Sequence, residues 1–304
     1  MTLQAGFLPR LGLLRFEGPD AATFLQGQLT QDTRRLEAGR WLPAALCSPQ
    51  GRVLATLRLA RLGSGIVAVL PQELAPVVRE RLQRYVLRAK VRIELPEAAG
   101  VQAGGVLAGT SEALIEGLPG CPAEAGQAAL DGELAILRLA GPRALLVGPS
   151  SALAARIAGA QALADEAWTA AAIHAGDPEV GGATSEHWIP QMLNLDLTGA
   201  VSFSKGCYTG QEIVTRTQHL GRIKRRTLAY RTPATLSPEP ATALYRGDEK
   251  VGEVVLAAPD AGETRLLAVV NLADAGVALG SAPGLADLLP QPLPYVIPEL
   301  NTPA

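Results

Sequence analysis

Val53-Leu54-Ala55-Thr56-Leu57-Arg58-Leu59, Gly63-Ser64-Gly65 and Ile66-Val67-Ala68-Val69-Leu70 follow one another in a single stretch. Two apolar runs joined by glycine and serine predict a pair of strands. Directly after them, Leu74, Val77, Val78, Leu82, Tyr85 and Val86 recur at steps of three and four, with Arg79, Glu80, Arg81 and Arg84 between. That spacing gives a helix one apolar face and one charged face. Val91-Arg92-Ile93-Glu94-Leu95 then alternates as a half-buried strand does. Strands and a helix mixed in this order indicate an α+β unit with a mostly antiparallel sheet.

The same grammar extends in both directions. Upstream, Gly12–Phe16 reads as a strand, and Gly18-Pro19-Asp20 leads into a helix through Phe24 and Leu25. Pro19 suits a helix start, and Asp20 suits the positive end of the helix dipole. Leu42–Leu46 is a short apolar strand that stops at the turn Ser48-Pro49-Gln50-Gly51. Downstream, strands are expected at Val101–Leu107, Leu134–Leu139 and Ala144–Val147, with helices at Ser111–Leu118 and Ala152–Ala164. After Arg226 the texture changes. Short strand candidates at Thr227–Arg231, Val251–Leu256, Leu266–Val270 and Tyr295–Ile297 lie between Pro- and Gly-rich turns, which predicts a compact β-barrel or sandwich.

Composition narrows the function. The 304 residues are 48 % hydrophobic and 18 % charged, enough to bury real cores. The net charge of −2 disfavours a protein whose main task is to coat nucleic acid. No apolar run reaches the ~18 residues of a membrane span. Met1–Gly6 lacks a basic, apolar signal sequence, so a soluble cytoplasmic protein is expected. The three cysteines, at 47, 121 and 207, offer neither a disulfide framework nor a Cys-x-x-Cys metal pair, and the three histidines have no ligand spacing. The expectation is no metal.

The least ordinary stretch runs from Trp168 to Arg226. In Lys205-Gly206-Cys207-Tyr208-Thr209-Gly210-Gln211-Glu212-Ile213-Val214, Thr209 and Glu212 have the spacing of a capping box ahead of an apolar face. A helix starting there leaves Cys207 just before its positive end. Lys205 two residues away would further favour a thiolate. A single cysteine is more often a small buried hydrophobe, and spacing alone leaves both readings open. Two of the three tryptophans, Trp168 and Trp188, fall in this window beside the amides of Gln191 and Asn194. Aromatic faces with amide donors suit a flat heterocycle, although tryptophans also simply fill cores. The basic run Arg222, Lys224, Arg225, Arg226 offers a contact for tRNA or an ordinary solvated face.

Together these segments resemble the YgfZ family of folate-binding proteins tied to iron–sulfur cluster maintenance and tRNA modification. The resemblance rests on Trp188-Ile189-Pro190-Gln191, Asn194-Leu195, Val201-Ser202-Phe203, the specific run Lys205–Glu212, and Arg216. Phe24–Thr30 with Asp32, Tyr85 with Lys90-Val91, and Pro292-Leu293-Pro294-Tyr295 extend it over nearly the whole chain. The family is akin to the aminomethyltransferase (T-protein) of glycine cleavage. That kinship implies an α+β fold of ferredoxin-like sub-lobes around a central folate channel, with a C-terminal β-barrel. The implied division is 1–226, with sub-lobes at roughly 1–45 plus 97–226 and at 46–96, followed by 227–304 as the barrel.

The resemblance also implies a site. Cys207 and Lys205 would be the functional thiol and its support. Tetrahydrofolate, or a folate derivative, would meet Trp168, Gln191, Asn194, Tyr208, Gln211, Glu212 and Arg216. Two tryptophans bind folate in the family: Trp168 matches the second, and the first falls at Leu11. The transferase has adjacent aspartates where this chain carries Ala55 and Thr56. Neither residue can act as an acid or base near neutral pH. The expected function is therefore a tetrahydrofolate-binding protein that assists assembly or repair of iron–sulfur client enzymes, including those that modify tRNA. Its rivals are a folate-dependent methyl- or aminomethyltransferase acting on protein or tRNA, and a pure interaction module.

Overall fold

The computed structural model describes residues 3–37, 39–109, 115, 117–220 and 222–300. In chain order, β1 (Gln4–Phe7) and β2 (Leu11–Glu17) precede α1 (Ala21–Gln26). Next come β3 (Leu42–Cys47), β4 (Val53–Leu62), β5 (Gly65–Pro71), α2 (Ala75–Gln83) and β6 (Arg92–Glu94). A second run holds β7 (Val101–Leu107), β8 (Ala128–Asp131), β9 (Leu134–Arg138), β10 (Arg143–Pro149), α3 (Ser150–Ile157), β11 (Gln161–Ala162) and α4 (Asp165–His174). After α5 (Gln211–Leu220) follow β12 (Arg225–Pro233), β13 (Ala243–Arg246), β14 (Glu249–Asp260), β15 (Glu263–Asn271) and β16 (Leu289–Gln291).

The strands form three sheets, ordered β3-β4-β5-β2-β6, β11-β1-β7-β10-β9-β8 and β13-β14-β15-β12-β16. Alternation along the strands explains how they stack. In β5, Ile66, Ala68 and Leu70 join a core with Phe24 and Leu25 of α1 and Val78 and Leu82 of α2. Val67 and Val69 point the other way, into a core shared with Leu137 of β9 and Leu145 of β10. The second sheet repeats the pattern, burying Ile136 and Leu146 against Leu153 of α3. A period of two on strands buried on both faces thus gives layers of helix, sheet, sheet and helix. In the third sheet, Leu267 and Val269 pack with Ala170 and Ile173 of α4, while Leu266, Ala268 and Val270 face a separate core.

Several expectations change. Among the described residues the third sheet is not a closed barrel: β13 and β16 end its strand order, linked only through the isolated bridges Tyr245–Gly280 and Leu279–Leu288. Pro290 sits in the edge strand β16, which suits a residue with no N–H to donate. Tyr295–Ile297 lies outside every strand, set between Pro294 and Pro298. The expected grouping of 1–45 with 97–226 does not follow the pairing either. Only β1 joins the second sheet, whereas β2 pairs with β5 and β3 with β4. Helix α2 stops at Gln83, because Tyr85 and Val86 turn their N–H groups to the carbonyls of Leu82 and Gln83. Tyr85, beyond the helix end, is exposed, and so is Val77, which lies off the buried face of Ala75, Val78 and Leu82. The helix expected over Ala152–Ala164 ends at Ile157. The one expected over Ser111–Leu118 falls largely outside the described residues.

Candidate functional site

A cavity of about 340 Å³ lies between β3 and β4 of the first sheet and loops of the later chain. Trp41 and Ala44 enter it from the start of β3, and Thr56 and Arg58 from β4. Asp177, Thr198 and Tyr295 come from the loops after α4 and near the C-terminal end. A larger cavity of about 760 Å³ adjoins, bordered by α4 and the β14–β15 turn, and Ala140 and Ala175 line both. The His174 ring and the Asp260 carboxylate, 2.7 Å apart, lie in the wall of that second space.

The polar centre is Asp177. Its Oδ2 accepts from Arg58 Nη2 at 2.8 Å and from Arg143 Nη2 at 3.0 Å. Arg58 also meets Glu179 at 3.5 Å, and Glu179 in turn binds Arg10. Burial would raise the Asp177 carboxyl, but the two guanidinium groups overcome it and hold the value at about 2. The group is therefore an acceptor only, and its side chain keeps 30 % exposure at the cavity. Tyr295 Oη donates to the Gly176 carbonyl at 2.8 Å and accepts from Asn194 Nδ2 at 3.2 Å. Its ring lies so close that a Cβ on Gly176 would sit 2.6 Å from it, and φ at Gly176 is +60°. Trp41 Nε1 donates to the Arg138 carbonyl at 2.9 Å, which fixes its ring at the rim.

The residues expected from the sequence fall into three places. Leu11 and Trp168 share the core between the first two sheets. Trp168 is 3 % exposed, lines neither cavity, and carries Arg143 at 5.5 Å over its ring. It reaches the cavity only through Arg143 and Asp177. Gln191 and Asn194 are wholly buried on the turn Pro190–Leu193 and its cap. Gln191 Nε2 donates to the Val214 carbonyl and Asn194 Nδ2 to the Thr227 carbonyl, and both side-chain oxygens lack a partner among the described residues. The third place is the surface before α5. Cys207 is exposed there, Gln211 is half-buried, and Glu212 pairs loosely with Arg216 at 3.6 Å.

The Lys205 ammonium is engaged by backbone carbonyls. Its Nζ donates to the carbonyls of Gln26 (2.6 Å), Leu29 (2.6 Å) and Gln31 (2.9 Å), and lies 5.0 Å from the centre of the Tyr208 ring. Burial lowers its ammonium to about 8. The lysine ties the loop after α1 to the motif, with its charge turned inward. Tyr208 is buried, and burial pushes its phenol up. The helix also starts later than a box capped by Thr209 requires. Gly210 has φ +82°, and a Cβ there would stand 2.4 Å from the Ser48 carbonyl. The motif thus packs backbone to backbone on the turn Ser48–Gly51, and α5 begins only at Gln211.

The basic run is divided as well. Arg222, Lys224 and Arg225 are exposed. Arg226 is 2 % exposed and clasps Asp196 with two hydrogen bonds, 2.6 and 3.0 Å, so it is no surface contact for RNA. Sequence reasoning missed Trp41, Arg58, Asp177 and Tyr295. Arg58, Asp177 and Tyr295 lay in segments singled out from the sequence, but none as a site residue, and Trp41 lay in none, since long-range packing alone brings the four together. Among the described residues, no group of three or more His, Cys, Asp or Glu side chains could hold a metal ion. Among them, too, no helix is long and apolar enough to cross a membrane.

No protein-family model matches the chain. The solved structure of glycine cleavage system aminomethyltransferase T from Bartonella henselae superposes with a TM-score of 0.76 at 19 % identity, over 97 % of this chain and 86 % of that one. The fold is therefore that of the aminomethyltransferase. The tRNA-modifying protein YgfZ of Edwardsiella ictaluri is 33 % identical over 273 residues, 88 % of this chain and 80 % of that protein. Its namesake in Yersinia pestis is 32 % identical over 303 residues, 94 % and 91 % of the two chains. With identity at that level sustained from end to end, and with the Lys205–Glu212 motif packed into an aminomethyltransferase fold, the chain belongs to the YgfZ family.

Proposed function

We propose that this protein binds tetrahydrofolate and serves as an accessory factor to iron–sulfur enzymes of tRNA modification, with the pterin head in the cavity beside Asp177. The observation that carries the reading is an ionised carboxylate, part-exposed to a cavity walled by Trp41 and Tyr295. A reduced pterin presents an amino group and a ring N–H side by side, the donors that an acceptor-only carboxylate can pair. Cavities of about 340 and 760 Å³ that share Ala140 and Ala175 suit a flat head and a longer tail. Trp41, Thr56, Asp177 and Tyr295 would hold the head, and Trp168 with Leu11 would support that wall through Arg143. Bound folate would supply a carrier for one-carbon units. Exposed Cys207, followed by the helix that carries Gln211, Glu212 and Arg216, would be offered to partner enzymes. Arg222, Lys224 and Arg225 remain available to tRNA.

A transferase is disfavoured by the same cavity. Thr56 lines it where the aspartate pair is expected, and its hydroxyl accepts from the Val180 N–H at 3.2 Å. Asp177, locked between two arginines, has no proton to give near neutral pH. Calorimetric titration with tetrahydrofolate tests the reading. Wild type binds, Trp41→Ala loses about 1 kcal/mol or more, and Trp168→Phe stays within about twofold. No binding by wild type, or full affinity in Trp41→Ala, would overturn it.

A further inference from the structure

No residue of α2 or of the turn after it lines either cavity. Between positions 79 and 92 stand Arg79, Arg81, Arg84, Arg88, Lys90 and Arg92 against Glu80 alone, a local excess of five charges on a chain of net −2. All are exposed except Arg81, which is half-buried. Arg84 pairs with Glu80, Arg92 meets Glu17 at 2.6 Å, and Arg79 donates to the Ile93 carbonyl at 3.1 Å. The side chains of Arg81, Arg88 and Lys90 have no such partner among the described residues. In their midst Tyr85 is 45 % and Leu87 is 86 % exposed. The backbone beneath is fixed, for the Asp20 carboxylate accepts the Lys90 N–H at 2.7 Å.

Cations left unneutralised on a held backbone, with an aromatic ring among them, form an electrostatic footprint for a phosphate chain. A protein interface would need a broader apolar centre than the two side chains Tyr85 and Leu87, whereas six cations crowd this face. We propose that this face binds the phosphate backbone of a folded RNA, with Tyr85 and Leu87 against an unstacked base. The inference rests on the tRNA-associated reading above and gives it a surface distinct from Arg222–Arg225.

The test titrates a fluorescent tRNA transcript with the full chain across a range of salt, by anisotropy. The exposed triple Arg84→Gln/Arg88→Gln/Lys90→Gln is compared with Arg222→Gln/Lys224→Gln/Arg225→Gln, after thermal melts show both folded. The first triple should raise Kd roughly tenfold or more and flatten the salt slope by about two to three. The second should have the smaller effect. An equal or larger loss from the second triple overturns the assignment, as does absence of tRNA binding by wild type at low salt. Polyglutamate is run alongside. If it binds this face and tRNA does not, the partner is an acidic protein and the proposal fails. Tetrahydrofolate titration of the same variants is independent, so the folate reading stands or falls separately.

Discussion

Asp177 shows how one side chain gains its chemistry from partners far away in sequence. Its folded value of about 2 lies below the ordinary 3.8. The stability it adds is thus complete above the ordinary value and is lost as pH falls through the folded one. Asp177→Asn should lower stability by about 3 kcal/mol at neutral pH, since it leaves Arg58 and Arg143 short of a buried counter-charge. The gap between the two melting curves should close as pH drops from about 4 to about 2. A gap that does not vary with pH would mean the carboxylate is not held ionised. The cysteines give a second check at this scale. Cys207 is exposed, Cys121 is half-buried, and burial pushes the Cys47 thiol up to about 12. Alkylation of the native protein, mapped by mass spectrometry, should label Cys207 first and Cys47 last. Of the motif Lys205–Glu212, the sequence alone revealed its position and its unusual character. The direction of Lys205 was hidden, because its three acceptors are carbonyls nearly 180 residues away along the chain.

Among elements, Arg226 acts as a bolt between β12, the turn Pro190–Leu193 and the C-terminal segment. It binds the Gln191 carbonyl at 2.7 Å, both Asp196 oxygens, and Glu299 at 2.7 Å. Asp196 is only 4 % exposed, so removing the guanidinium strands a buried carboxylate. Arg226→Gln should cost about 3–5 kcal/mol in urea denaturation. Glu299→Gln, at a more exposed partner, should cost about 1 kcal/mol or less. Equal effects would place the arginine at the surface after all. As letters, Arg225 and Arg226 are alike. Strand alternation sends one outward and the other into the protein.

The candidate ligand site belongs to the molecule as a whole, because its walls come from β3, β4, the loop after α4 and the C-terminal segment. A ligand there binds the folded chain alone and stabilises it by mass action. Tetrahydrofolate at a hundred times its Kd should add about 2.7 kcal/mol and raise the melting temperature by about 5 °C. The rise should shrink by about a third or more in Trp41→Ala if that ring is the wall. A shift that persists unchanged would move the ligand elsewhere.

Strand and helix periods along 11–95 and 101–147 were legible in the sequence, since alternation and three-four spacing record which face each residue buries. So were the turn at Ser48–Gly51 and the family motif. Where helices stop was less legible. Gln83 and Ile157 end theirs through local hydrogen bonding that the apolar pattern does not encode. The strand order of the third sheet, the inward turn of Lys205 and Arg226, and the meeting of Trp41, Arg58, Asp177 and Tyr295 were decided only by tertiary structure. Periodicity tells a residue which side to face. The identity of its neighbour there is set by the packing of sheets whose strands are distant in sequence.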